Sequence, residues 1–277
     1  MECSLENITV HYESFGDGKP MIILPGWSVS TRTTAHRTEP YFRQRKGWKR
    51  IYIDPPGHGK TPGKDWITTM DEVLEVILAC VDKLTEGQNF GLVGRSLGAY
   101  LARGVLLKRT KSIDGIAMLV PVVVAEDDGR SLPSYQVLVE EPLTDTGLNK
   151  DEEEFLGMSV VRTREWLAEL RGFPQVPTDE SGDAKFLETI RQDSKNYAFS
   201  FDVDILPEPF QNPSLIITGR QDHIVGYRDA WNILKNFPRA SYIVLDRMGH
   251  LTEDRETLVS VLMNDWLDRV DENSAKI

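Results

Sequence analysis

The chain has 277 residues, 40% apolar and 27% charged. That is an ordinary globular composition, with room for one large α/β domain or a core carrying a modest insertion. Acidic residues number 43 against 32 basic ones, for a formal net charge of −11, the wrong sign for a surface that must hold phosphates, so nucleic acid is excluded as the expected partner.

Two isolated cysteines, Cys3 and Cys80, make neither a disulfide framework nor a zinc site. The first residues, "MECSLENITVHYE", lack the basic-then-apolar pattern of a secretory signal. The longest strongly apolar run, residues 116–125, is too short to span a bilayer. A cytoplasmic protein with no membrane attachment is expected, with a small-molecule substrate as its partner; a homodimer stays open.

In chain order, "NITVHYESFGDGKP" alternates as an antiparallel arm at a sheet edge does. Four short runs follow that are apolar throughout and end on turn residues. They are "MIIL" (21–24) before Pro25-Gly26, "RIYI" (50–53) before Asp54-Pro55-Pro56-Gly57, "FGLV" (90–93) before Gly94, and "IAMLV" (116–120) before Pro121. Runs of this kind are strands buried on both faces of a parallel sheet. Between the second and third, residues 71–84 carry Val73, Leu74, Ile77, Val81 and Leu84 at helical spacing, with Asp71 as the cap.

From 126 to about 204 no strand run occurs; the segment is acidic, and "VVRTREWLAELRGF" and "AKFLETIRQ" read as short helices. The strand rhythm returns with "SLIITG" (214–219), a helix over 227–237 closed by Pro238, "SYIVLD" (241–246), and a last helix over 253–270 with Leu258, Val259, Leu262, Trp266 and Leu267 on one face. Strand–helix alternation on both sides of a helical insert predicts an α/β fold. Residues 1–122 and 208–277 would form a doubly wound parallel core, and 123–207 a helical cap.

Ligands of such sheets bind beyond the carboxyl ends of the strands. There the chain places Gly94-Arg95-Ser96-Leu97-Gly98, a G-x-S-x-G turn between a buried run and a helix. A hydroxyl that is to reach a carbonyl carbon must stand clear of the backbone. A sharp strand-to-helix turn achieves this, and Gly94 and Gly98 leave room for the close backbone approach it forces.

Serine alone is a poor nucleophile; it needs a base, and the base needs an orienting carboxylate. Asp222 follows the 214–219 run and His250 follows the 241–246 run, in the order Ser, Asp, His expected of a nucleophile elbow. Asp127 or Asp128 is the alternative acid. The other histidines fit the role less well. His11 lies in a strand and His58 in a tight turn, His223 is a loop histidine beside Asp222, and His36 falls in a polar loop where it could touch substrate. The anion formed on the carbonyl oxygen needs two N–H donors, and Leu97 after the nucleophile and Trp27 in "LPGWSVS" are nominated.

With these residues in place the chain resembles the α/β-hydrolase fold superfamily. The match rests on "ILPGW" (23–27), "YIDPPGHGKT" (52–61), "GLVGRSLGAY" (91–100), "IITGRQDHIV" (216–225) and "DRMGHL" (246–251). The resemblance implies a mostly parallel eight-stranded sheet, a helical cap, and catalysis with neither metal nor organic cofactor. Two departures stand out. The oxyanion loop reads Pro25-Gly26 where His-Gly is common, and position 95 is an arginine that matches no subfamily signature.

The expected activity is hydrolysis of a small ester or related carbonyl compound through an acyl-enzyme. A carbon–carbon bond hydrolase, thioesterase, proline-type aminopeptidase or acyltransferase on the same three residues is the alternative, and a non-catalytic binding protein the remaining one. Trp27, His36, Trp166 and Phe173 are the substrate-pocket candidates. Leu167, Leu170, Phe186 and Tyr197 add apolar stock to the cap, and Arg162, Arg164 and Arg171 could meet a carboxylate.

Overall fold

The structure is a computed structural model and describes residues 1–43, 45–143, 147–172 and 182–275. Ten strands and nine helices are found among them. They run β1 (Glu2–Ser4), β2 (Thr9–Phe15), β3 (Lys19–Leu24), α1 (Thr31–Phe42), β4 (Trp48–Ile53), α2 (Met70–Thr85), β5 (Phe90–Arg95), α3 (Leu97–Arg109) and β6 (Ile113–Leu119). Then come β7 (Val139–Glu140), α4 (Lys150–Met158), β8 (Val161–Arg162), α5 (Arg164–Arg171), α6 (Ala184–Arg191) and α7 (Ser194–Tyr197). The chain closes with β9 (Ser214–Gly219), α8 (Arg228–Asn232), β10 (Ala240–Leu245) and α9 (Glu256–Ser274).

Eight strands form one sheet in the order β1-β2-β4-β3-β5-β6-β9-β10. β2 runs antiparallel to both of its neighbours, β1 and β4, and the six strands from β4 to β10 pair in parallel. The apolar runs explain this. β6 and β9 are buried along their whole length and β3 and β5 nearly so, which requires layers on both faces of the sheet. Helix α1 packs beside α9, and α2 beside α3. At the far edge, β10 is only half-buried.

Several expectations need correction. The 7–20 arm is β2, one strand in from the edge; the edge is the three-residue β1, too short to announce itself. The cap of α2 is Thr69, not Asp71. The Thr69 hydroxyl accepts from the Glu72 N–H while the Glu72 carboxylate reaches back to the Thr69 N–H, a reciprocal arrangement whose loss costs about 1 kcal/mol. The polar loop expected around His36 is instead part of α1, whose buried face includes Thr31, Thr34 and Thr38 beside Ala35, Tyr41 and Phe42. Residues 227–237 break into α8 and a 3₁₀ turn over Leu234–Asn236. A 3₁₀ turn over Thr252–Arg255 precedes α9.

Between β6 and β9 the chain holds two further helices, α4 and α7, and the two-residue parallel pair β7–β8. A second small apolar cluster there joins Leu156, Trp166, Leu167 and Leu170 to Leu251, the neighbour of His250. No helix among the described residues is long and apolar enough to cross a membrane.

Candidate active site

β5 ends at Arg95 and α3 starts at Leu97, so Ser96 alone makes the turn, with φ 53° and ψ −117°. A non-glycine residue held there is strained. The surroundings enforce it: the Ser96 N–H donates to the Leu119 carbonyl at 2.9 Å, and the Val122 N–H donates to the Ser96 carbonyl at 3.2 Å. The flanking glycines permit the close approach. A Cβ on Gly94 would lie 2.4 Å from the Gly98 carbonyl oxygen, and one on Gly98 would lie 2.2 Å from that of Leu24. Ser28, Val120 and Arg247, which follow the carboxyl ends of β3, β6 and β10, also have positive φ, as does Glu86 at the end of α2.

Ser96, His250 and Asp222 form a continuous hydrogen-bonded chain. His250 Nε2 is 3.0 Å from Ser96 Oγ, and His250 Nδ1 is 2.9 Å from Asp222 Oδ2. Asp222 is fully buried, and its other oxygen, Oδ1, accepts from the N–H groups of Ile224 (2.9 Å) and Val225 (3.0 Å). Burial alone would raise the Asp222 carboxyl. His250 and those two N–H groups outweigh it and hold the carboxyl below the ordinary aspartate value. An ionised carboxylate only accepts hydrogen bonds, which fixes the proton of neutral His250 on Nδ1 and leaves Nε2 to accept from the serine hydroxyl. An imidazole so placed can take that proton as the oxygen attacks.

Gln221 joins the loops that carry the acid and the base. Its side chain donates to Asp246 Oδ1 at 2.9 Å and accepts from the Met248 N–H at 3.3 Å. Nothing in the sequence marks this glutamine.

The segments that carry the two nominated anion donors pass beside the serine. Leu97 opens α3, where a helix start leaves N–H groups without intrahelical partners. The loop carrying Trp27 passes close enough that a Cβ on Gly26 would be 3.6 Å from Ser96 Cβ. The half-buried Trp27 ring lies edge-on to Tyr197 (5.5 Å) and His58 (6.1 Å), with the Arg191 guanidinium 5.3 Å from its centroid.

The other candidates fall elsewhere. His36 sits exposed on α1 rather than in a loop, and lines a surface cavity of about 800 Å³ that none of Ser96, Asp222 and His250 borders. Trp166 is buried on α5 in the small apolar cluster. Phe173 lies outside the described residues. His11 pairs with the buried Asp54 at 2.8 Å, His58 Nδ1 is 3.2 Å from the Pro56 carbonyl, and His223 packs on Tyr135. Asp127 pairs with Arg130 and Arg191, and Asp128 is exposed, so neither supplies the acid that meets His250. Arg162, Arg164 and Arg171 bond to Leu156, Pro142 and Glu152 within the insert. Among the described residues no group of three or more His, Cys, Asp or Glu could hold a metal ion.

Asp254, four residues past His250, lies beside Trp166. Burial pushes its carboxyl up to about 7, and the neighbouring Glu253 charge adds to this. The folded protein therefore keeps a proton that the unfolded chain releases near the ordinary value of 3.8. Stability is lost as pH climbs through that window, and the loss is complete above about 7. Asp254→Asn removes the ionisation. Its melting temperature relative to wild type should rise between about pH 4 and 7 and then level off; thermal melts across that range check this, and a pH-independent offset would refute it.

Residues 19–253 match the alpha/beta hydrolase fold family. Over 262 residues the chain is 20% identical to a pimeloyl-[acyl-carrier protein] methyl ester esterase of Legionella pneumophila, covering 93% of this chain and 98% of that one. A protein of the same name from Nitrosomonas europaea is 23% identical over 256 residues, 87% of this chain and 92% of its own. Among solved structures, an alpha/beta superfamily hydrolase from Oenococcus oeni superposes with a TM-score of 0.85 at 25% identity, over 98% of this chain and 99% of that one. With its eight-stranded sheet, its serine elbow and a family match over most of its length, the chain belongs to the alpha/beta hydrolase fold family.

Proposed function

We propose that the protein is a serine hydrolase that cleaves a small ester through an acyl-enzyme intermediate. The observation that carries this reading is the Ser96–His250–Asp222 chain, with 3.0 and 2.9 Å links between loops far apart in sequence. Ser96 attacks the ester carbonyl while His250 takes its proton. Asp222 keeps the imidazole in the required tautomer and balances the charge it gains. The Leu97 and Trp27 N–H groups hold the developing oxyanion, and losing one such donor costs about 3–4 kcal/mol of transition-state stabilisation. His250 then protonates the departing alcohol and activates the water that releases the acid.

Residues 123–207 act in this reading as a cap that sets specificity. Two contacts support it: Phe186 is packed where a Cβ on Gly57 or Gly63 would stand, and Tyr197 meets the Trp27 ring. Ester bonds are favoured because relatives matching most of the chain carry the name methyl ester esterase.

The test is labelling with a fluorophosphonate, peptide mapping of the adduct, and a panel of p-nitrophenyl esters, thioesters and prolyl amides. The expected result is one adduct on Ser96 and fastest turnover of short-chain esters. Absence of an adduct would overturn the reading, and turnover confined to thioesters or amides would overturn the ester assignment.

A further inference from the structure

The arginine that fits no signature is built into an ionic cluster. Glu253 lies in the 3₁₀ turn that begins two residues after His250. Arg95 grips its carboxylate with both terminal nitrogens, Nη1 to Oε1 and Nη2 to Oε2, each at 3.1 Å. Arg37 brings Nε to 2.8 Å from Oε1. The free edges of the Arg95 fork are used as well: Nη2 donates to the His250 carbonyl and Nη1 to Thr252 Oγ1, both at 3.3 Å. All three charged side chains are largely buried, at 13%, 13% and 8% exposure for Arg95, Glu253 and Arg37. Burial opposes ionisation of Glu253, yet the two guanidiniums hold its carboxyl far below the usual range.

The three segments that meet here adjoin the serine, the histidine and the loop bearing Trp27. Arg95 immediately precedes Ser96. Glu253 follows His250. Arg37 belongs to α1, which follows the loop bearing Trp27.

We propose that Arg95 and Glu253, with Arg37, are positioning residues that fix the His250 loop against the nucleophile elbow and the oxyanion loop. The proposal rests on the serine-hydrolase reading above. A buried ion cluster is a poor device for stability alone, since desolvation offsets most of its Coulomb gain and apolar packing serves as well or better. What it supplies is direction. A planar guanidinium can meet a carboxylate with two bonds and still reach a carbonyl and a hydroxyl; the lysine ammonium, a point charge with three donors, cannot hold that pattern. Displacing a base by about 1 Å costs on the order of 100-fold in rate.

The test compares wild type with Arg95→Lys and Glu253→Gln in the intact protein, well below the melting temperature of each. It measures p-nitrophenyl acetate kinetics, the rate of fluorophosphonate labelling at Ser96, and thermal melts. For Arg95→Lys, kcat and the labelling rate should fall about 10- to 100-fold with KM within about twofold, while most of the thermal stability is kept. Glu253→Gln should slow the same two rates and also melt lower, because it leaves two buried cations facing each other. Both variants reacting at wild-type rates, or rates that merely follow the melting temperature, would overturn the positioning role and leave the serine-hydrolase reading standing. A wild-type protein that takes no label at Ser96 would overturn both.

Discussion

Ser96→Ala should lose turnover by about 10⁴- to 10⁶-fold while its melting temperature stays within about 2 °C of wild type. The hydroxyl donates to His250 Nε2 and does little else, so removing it deletes the nucleophile and one partly exposed hydrogen bond. Alanine must still adopt φ 53°, so the strain at the elbow persists. Ser96→Gly separates the two effects. Glycine occupies positive φ without a Cβ penalty, so this variant should be equally inactive yet melt about 2–4 °C higher, the gain of roughly 1 kcal/mol expected when backbone strain is relieved. Ester kinetics and calorimetry on the pair check both halves. Residual esterase activity in Ser96→Ala would remove the serine from the mechanism, and a Gly variant melting no higher than the Ala variant would mean that the turn is not strained.

The parallel strands and the Ser, Asp and His positions were legible because each rests on a local signal. A run apolar on both faces must be buried, and a turn residue after it marks a strand end. What stayed hidden depends on contacts made across the fold. α1 buries the methyl groups of Thr31, Thr34 and Thr38, which a hydropathy pattern counts as polar, and Pro40 lies within its last turn. β7 and β8 have two residues each, too few for a period. His36 was misplaced with α1, and the Asp71 cap gave way to Thr69 because the reciprocal pairing with Glu72 satisfies two N–H groups at once. The ion cluster is the extreme case. Arg95 and Glu253 are 158 residues apart, and no short-range pattern links charges at that distance.

Gly98→Ala should be among the most damaging single-methyl changes in the protein. The added Cβ would stand 2.2 Å from the Leu24 carbonyl oxygen and 2.4 Å from that of Pro25. Both are backbone atoms, so no side-chain rotation relieves the contact. β3 cannot retreat sideways, because it is hydrogen-bonded to β4 on one side and β5 on the other. The start of α3 must move outward instead, or the loop after β3 must buckle. The first shifts Ser96 and the Leu97 N–H, the second shifts the Trp27 N–H, and either one separates the proposed nucleophile from its proposed anion donors. A clash of this kind costs about 4 kcal/mol or more, a fall in melting temperature on the order of 10 °C. The fraction that remains folded should label with fluorophosphonate about 100-fold more slowly. Gly157→Ala is the control: Gly157 lies in α4 with nothing within 4 Å of the added methyl, so alanine there should stabilise by about 0.5–1 kcal/mol and leave labelling unchanged. If Gly98→Ala melted within about 2 °C of wild type, the close packing of the elbow on β3 would be wrong, and with it the reason for a glycine two residues beyond the serine.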